Sequence, residues 1–533
     1  MNLRTSNCLR LLSVGVLASL IPTPVHATNP GEMQLPGRIQ RILEAGDANT
    51  FFIVTDKPLY HPGETVWFRG FELNRRSISP RVGPHGVTYK LVGPSGETVQ
   101  EKRVEFNDGV AANDFELPPS LPGGRYRVHA RSDDGPEHEL EVQVSAYELP
   151  QIKKQLKFVR ESYSAGDYVV AEVHVARPTG EAMATKIDAV LTIGARPPKS
   201  FVRYSGADGD AKVGFRLPKD LANEEVRLTL TVKAGGAAES IERRVPIASD
   251  RVELTVRPEG GDLVYGLPSR VYLQAADDTK SATRAKGRVV DDLGHEVAKF
   301  STYHDGMARF TMTPVHGRTY HVEFTKPQAA TVHVDFPKPR VEGCTMRSVD
   351  DFKSNNRDVW LRVRCTSPQP ILATAVLRGK LVAHRVKSIP TKGATIRLPI
   401  ARGMQGAMQV TLFDEEKTPL AERALYRGLG SGLNIKIRTN AKQYNPRDEV
   451  TMSIETTNAR GEPVAADLVL AVVDDTVLSF ADDDAAEILA RMYLQPELGG
   501  QEVEDPNFYY SDDEKAPRAL DLLLGVKGYR QLR

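Results

Sequence analysis

The sequence predicts an all-β protein, a tandem array of about five β-sandwich modules with short helices near the C-terminus. Three observations carry that expectation. A tyrosine–acid–valine pattern returns at intervals of roughly a hundred residues. Short segments alternate apolar and polar residues with period two. Turn formers separate those segments, and the 42 glycines and 35 prolines are spread along the chain rather than gathered in one block.

At the N-terminus, Arg4 and Arg10 give a positive start, and Leu11 to Ile21 is an apolar run too short to span a bilayer. Val25-His26-Ala27 places small or apolar residues where a signal peptidase reads, so cleavage is expected after Ala27. Residues 1–27 are therefore read as a signal peptide. Residues 28–50 are read as a polar leader with a helical piece at Arg38–Glu44. Cys8 precedes the apolar run, which argues against a lipid anchor, and no later segment is apolar enough to cross a membrane. An exported protein, periplasmic or secreted, without a direct membrane span is expected.

The repeat sets the modules. Tyr60, Glu64 and Val66 fit it, as do Tyr163, Asp167, Val169 and Tyr444, Asp448, Val450. A weaker copy has Tyr265 and Val271 with Ser269 at the acid position, and a weaker one still lies near Asn356–Leu361. Modules are expected over 51–146, 147–249, 250–340, 341–430 and 431–533, with boundaries near Ala146, Ser249, Arg340 and Gly430. Arg125–Ala130, Glu139–Val144 and Val226–Val232 alternate as strands. Gly93-Pro94-Ser95-Gly96, Asn107-Asp108-Gly109, Asp208-Gly209-Asp210 and Asp305-Gly306 read as turns. The repeated tyrosine is expected to pack between two sheets while its hydroxyl reaches backbone. After Ala471 the pattern changes. Asp482-Asp483-Asp484 before Ile488, Leu489 and Met492 suits a capped helix, and Pro517 opens a second one with Leu520, Leu523 and Leu524 on one face.

Chemistry is sparse. The formal net charge of +1 gives no global field toward nucleic acid or anionic lipid, and no nucleic-acid partner is expected. Nucleophile elbow, Walker loop, dinucleotide and zinc-protease motifs are all absent from the sequence. His304, His316 and His321 come nearest to a cluster but sit in strand-and-turn text and read as surface residues. Asp133-Asp134, Asp277-Asp278 and Asp512-Asp513 are explained by turns and polar loops. Loss of the leader leaves Cys344 and Cys365, read either as one disulfide between neighbouring strands or as two buried thiols. Zinc-spaced histidines are missing beside them. A non-enzyme without catalytic, cofactor or metal residues is expected.

Phe51 to Phe71 contains Thr55-Asp56-Lys57-Pro58, Tyr60, Pro62-Gly63-Glu64 and Val66. This stretch resembles the opening of the second macroglobulin domain of the alpha-2-macroglobulin family. Ser145–Pro150 resembles the junction into the next macroglobulin domain, while Pro258–Val264 and Leu468–Asp475 resemble segments of bacterial relatives. The resemblance covers about Phe51 to Arg530 and implies macroglobulin-type sandwiches. It also implies endopeptidase inhibition or envelope defence, with a protease or an envelope protein as partner. The family's Gly-Cys-Gly-Glu-Gln thioester motif is absent: Glu342-Gly343-Cys344-Thr345 lacks both the following glycine and the Glu-Gln pair. A bait region is not evident, although the acidic, irregular stretch Glu497–Ala516 is where an exposed one would fall. Arg518–Arg530 resembles text that leads into further domains in some bacterial relatives. The alternative readings are an envelope interaction or adhesion module, or the extracellular part of a longer membrane-associated protein.

Overall fold

The computed structural model describes residues 49–529 apart from short internal stretches, the longest being 473–487. The leader, the Arg38–Glu44 helix and the aspartate cap at 482–484 lie outside the described residues.

Four two-layer sandwiches follow one another. In the first, β1 (Asn49–Thr55), β3 (Thr65–Asn74) and β6 (Val110–Glu116) form a sheet in the order β1-β3-β6. Facing it, β2 (Leu59–Tyr60), β4 (His85–Val92), β5 (Thr98–Phe106), β7 (Gly124–Ser132) and β8 (Glu137–Val144) run β2-β8-β7-β4-β5. Phe51, Ile53, Val66, Phe68 and Phe115 meet Val87, Tyr89, Leu91, Val128 and Val142 between the layers. Period-two alternation puts those residues on one face of each strand. The Phe68 and Tyr89 rings lie 4.5 Å apart. Gly70 leaves room for them, because a Cβ there would stand 1.9 Å from the Tyr89 hydroxyl.

The second sandwich contains β9 (Lys153–Phe158), β10 (Tyr168–Ala176), β11 (Lys186–Ile193), β12 (Lys199–Tyr204), β13 (Asp210–Arg216), β14 (Val226–Ala234) and β15 (Ala237–Arg244). Its sheets are β13-β10-β9 and β12-β11-β14-β15. The third contains β16 (Arg251–Pro258), β17 (Ser269–Ala276), β18 (Lys286–Asp291), β19 (Glu296–Ser301), β20 (Met307–Met312), β21 (Tyr320–Lys326) and β22 (Thr331–Val334). These strands pair as β20-β17-β16-β22 and β19-β18-β21. The fourth contains β23 (Cys344–Ser348), β24 (Val359–Cys365), β25 (Gln369–Leu377), β26 (Lys380–Ile389), β27 (Ala394–Leu398), β28 (Gly406–Phe413) and β29 (Pro419–Arg427), paired as β23-β24-β27 and β26-β25-β28-β29.

The fifth unit differs. Among the described residues it is one hairpin, β30 (Asn434–Thr439) with β31 (Met452–Thr457), rather than two packed sheets. Its register copies that of β1 and β3: Phe51↔Glu72, Ile53↔Gly70 and Thr55↔Phe68 become Ile435↔Thr456, Ile437↔Ile454 and Thr439↔Met452. Helical text follows as expected, with α1 (Ile488–Tyr493), two 3₁₀ turns (Gln495–Leu498 and Pro506–Tyr510) and α2 (Ala516–Val526). Pro517 lies in the first turn of α2, where its missing N–H costs nothing, and Leu520, Leu523 and Leu524 are buried. Among the described residues no helix is long and apolar enough to cross a membrane.

Candidate functional site: a buried polar junction

Between the third and fourth sandwiches lies a cluster of charges that solvent does not reach. Strand β17 contributes Arg270 and Tyr272, the turn after β16 contributes Glu259, β23 contributes Ser348, β29 contributes Arg423 and α2 contributes Asp521. All are at most 6% exposed. The Arg423 Nη2 donates to Asp521 Oδ1 at 2.9 Å and to the Tyr272 hydroxyl at 3.1 Å. That hydroxyl donates to Asp521 Oδ2 at 3.1 Å, and Arg309 of β20 donates to the same oxygen at 2.8 Å. Glu259 Oε1 accepts from the Ser348 backbone N–H and hydroxyl, both at 3.0 Å. The Arg270 guanidinium lies 3.4 Å from Glu259 Oε2, and that of Arg423 lies 3.4 Å from Oε1. The Arg423 guanidinium also sits over the Tyr272 ring, 4.6 Å from its centre.

Two carboxylates are thus held by three guanidinium groups. Desolvation raises the pKa of Glu259 against the pull of Arg270 and Arg423. Burial acts to lower that of Arg423, but Tyr272, Asp521 and Glu259 reverse the effect and leave it raised. Every carboxylate in the cluster is already occupied by arginine, so its chemistry is that of a clamp. A glycine completes the fit: a Cβ at Gly525 of α2 would stand 2.2 Å from the Tyr272 ring.

The same C-terminal segment reaches further. Phe508 stacks on His304 of the third sandwich at 4.0 Å, and the Tyr509 hydroxyl donates to Asp305 at 3.1 Å. Gln409 of β28 donates to the Glu497 carbonyl. Arg378 of the fourth sandwich lies on the Tyr493 ring and donates to the Arg76 carbonyl of the first. In the first sandwich, His138 is buried beside Phe52, and desolvation first, then Arg491 of α1, lowers its pKa to about 3. Arg69 of β3 pairs with Asp467 at 3.0 Å. The end of the described chain therefore returns to the first sandwich while gripping the third and fourth.

Other residues singled out by sequence fall elsewhere. Cys344 and Cys365 oppose each other on β23 and β24 and form a disulfide. The three histidines do not converge: His304 packs under Phe508, His316 against Tyr265, and His321 near Glu323. His304 is thus a contact between segments rather than a surface residue, because Phe508 and Tyr509 cover it. Glu497–Ala516 is not an exposed loop. Leu498, Val503, Tyr509 and Ala516 are buried, anchored by apolar packing, with Glu504, Asp505 and Asp512 to Glu514 left outside. Among the described residues no group of three His, Cys, Asp or Glu side chains is placed to hold a metal ion. A cleft of about 600 Å³ between the second and third sandwiches is lined by Arg244, Asp277, Arg284, Tyr303, His304 and Phe508. Its mixed charges single out no ligand. Sequence reading missed the polar junction altogether; its one local signal was Asp521 standing alone among leucines.

The MG2 domain model matches residues 50–144. Among curated proteins, the alpha-2-macroglobulin of Thermotoga maritima is 24% identical over 291 residues, 51% of this chain and 18% of that protein. The alpha-2-macroglobulin of Ralstonia nicotianae is 22% identical over 499 residues, 83% of this chain and 30% of that protein. The chain therefore spans less than a third of the length of these relatives. Among solved structures, trypsin-activated alpha-2-macroglobulin from Escherichia coli aligns with a TM-score of 0.47 at 13% identity, covering 78% of this chain and 33% of that one.

Proposed function

Because the chain is a member of the alpha-2-macroglobulin family, we propose that it is an exported, non-enzymatic scaffold that restrains an endopeptidase by enclosing or binding it without a covalent bond. The match of the MG2 domain model to residues 50–144 carries this reading. The missing Gly-Cys-Gly-Glu-Gln motif, with Cys344 and Cys365 joined to each other, argues for a non-covalent mode. Cross-links made by an internal thioester need a cysteine that is free to enter it, and neither of these two is. Within these residues, surface contact and shape would hold the partner.

The test is a protease assay with substrates of two sizes. Trypsin incubated with the full chain is expected to keep its activity on a small chromogenic amide and lose it on intact casein. Equal, undiminished activity on both substrates overturns enclosure. Loss of activity on the small substrate would point to direct blockage of the active site instead.

A second reading, an envelope interaction module, is favoured by one observation: the exposed apolar hairpin of the fifth unit, with Ile435, Ile437 and Ile454 each more than a third exposed.

A further inference from the structure

The net charge of +1 conceals an uneven distribution. From Val359 to Phe413, the span of β24 to β28, the sequence contains nine lysines and arginines and no aspartate or glutamate, in a chain of 70 basic and 69 acidic residues overall. Alternation buries Leu361, Val363, Ile396 and Leu398 in the fourth sandwich and turns Arg362, Arg364 and Arg397 outward on the sheet β23-β24-β27. Arg347 of β23 directly opposes Arg362 and so shares its face. The turn between β26 and β27 lies against this group, because a Cβ at Gly393 would stand 2.5 Å from Arg364 Cγ, and Lys392 precedes that glycine. Lys387 of the edge strand β26 reaches over to donate to the Thr395 carbonyl at 2.8 Å, and Thr395 opposes Arg362.

Elsewhere the chain neutralises its outward pairs. Lys90 opposes Glu101 in the first sandwich, Glu172 opposes Lys212 in the second and Arg288 opposes Glu323 in the third, each forming an ion pair. Where arginines do oppose each other, at Arg227 and Arg244, Glu225 lies 2.8 Å from one and 3.8 Å from the other. The Arg347–Arg362 pair has no such mediator among the described residues. Of Arg347, Arg362, Arg364, Lys387, Lys392 and Arg397, only Arg397 has an acid within ion-pair reach, Asp358. Residues 350–357, which join β23 to β24, lie outside the described residues, and their Asp350 and Asp351 are balanced by Lys353 and Arg357. Like charges directly opposite across a sheet destabilise it, so solvation alone does not account for this face. Neighbouring strands lie about 4.8 Å apart and alternate residues along one about 7 Å. The cations therefore spread in two dimensions rather than along a line.

We propose that the outer face of the β23-β24-β27 sheet docks on an anionic lipid surface, its arginines and lysines meeting phosphate headgroups. Guanidinium forks match phosphate oxygens, and a two-dimensional array of cations complements a two-dimensional array of phosphates. A duplex groove admits a helix or a two-stranded ribbon, whereas this surface is the broad side of a three-stranded sheet. Single-stranded nucleic acid stacks on open aromatic rings, and the Trp360 ring on this face lies under the Arg397 guanidinium, 5.5 Å away. The contact is peripheral, needs no membrane-crossing helix, and goes beyond the protease reading.

The test is co-sedimentation with vesicles, using the chain from Thr28 onward so that the apolar run at Leu11–Ile21 does not itself insert; the described fold begins at Asn49. Vesicles of phosphatidylglycerol and phosphatidylcholine in equal amounts are expected to carry the protein down, and pure phosphatidylcholine to leave it in solution. Raising the salt to about 0.5 M is expected to release it. Arg362→Glu is expected to weaken binding at least about tenfold. The same change puts an acid opposite Arg347, so its melting temperature is expected to rise, which separates lost docking from lost folding. Arg362→Lys keeps the charge and is expected to bind within about twofold of the unaltered chain. Inorganic phosphate at the concentration of lipid phosphate is expected not to displace the protein; displacement would overturn the surface in favour of a single-phosphate site. Equal binding to both vesicle types, or binding unchanged by Arg362→Glu, overturns the proposal. So does failure to bind vesicles, together with salt-sensitive binding to polyaspartate or a DNA duplex, which would make the partner a linear polyanion. Because the assay contains no protease, its failure leaves the enclosure reading standing, and failure of the casein assay leaves this one.

Discussion

Tyr60, Tyr163 and Tyr444 hold one position in three modules, and their surroundings explain why that side chain recurs. Each hydroxyl accepts an N–H from three residues upstream: Lys57, Arg160 and Ala441. Each then donates to whatever the preceding residue leaves available, the Asp56 carboxylate, the Val170 carbonyl or the Asn440 amide oxygen. The ring closes the corner while the hydroxyl ties two strands. Tyr60→Phe leaves the Asp56 oxygen and the Lys57 N–H without that partner and is expected to cost about 1–2 kcal/mol, read by urea unfolding. Tyr444 is only half-buried, so Tyr444→Phe is expected to cost less. His138 makes the second expectation at this scale. Its pKa is near 6.5 when unfolded and about 3 in the fold. Below 6.5 the unfolded chain takes up a proton that the folded chain refuses. The stability tied to neutral His138 is therefore complete above pH 6.5 and lost progressively down to about pH 3. His138→Phe is expected to flatten that part of a melting-temperature profile, and an unchanged slope would remove His138 as the cause.

At the scale of elements, α2 and the β23–β24 pair hold the neighbouring sandwiches. Asp521→Ala strips Arg309 and Arg423 of their buried carboxylate, and breaking such a pair costs about 3–5 kcal/mol. Release of α2 should appear as faster amide exchange over Ala516–Val526 and new proteolytic cuts in that segment. The disulfide closes a sequence separation of 21 residues, and its loss in Cys344→Ala/Cys365→Ala is expected to destabilise the fourth sandwich by about 3 kcal/mol in the chain-entropy model. Strands and corners were legible in the sequence because alternation, Asp-Gly turns and the tyrosine are local signals. The polar junction was not. Arg423 stands in alternating strand text like any outward-facing arginine, and its partner Asp521 lies 98 residues away. The form of the fifth unit was also hidden, because β30 and β31 read as ordinary strands; only the absence of a packed second sheet among the described residues sets them apart.

Across the whole molecule, the C-terminal segment decides how the modules stand to one another. It joins the third and fourth sandwiches through Tyr272, Arg423 and Asp521, and these two share one apolar and ionic keel with it. The first sandwich is reached where Asp467 pairs with Arg69. A scaffold fixed in this way can present one surface to a protein partner, as the proposed non-covalent mode requires. The most direct measurement is light scattering on the full chain mixed with trypsin, followed by denaturing electrophoresis of the same fractions. The expected result is a complex that elutes as one species and separates completely in detergent. A trypsin-linked band surviving detergent would contradict the non-covalent mechanism, and separate elution of the two proteins would contradict protease binding itself.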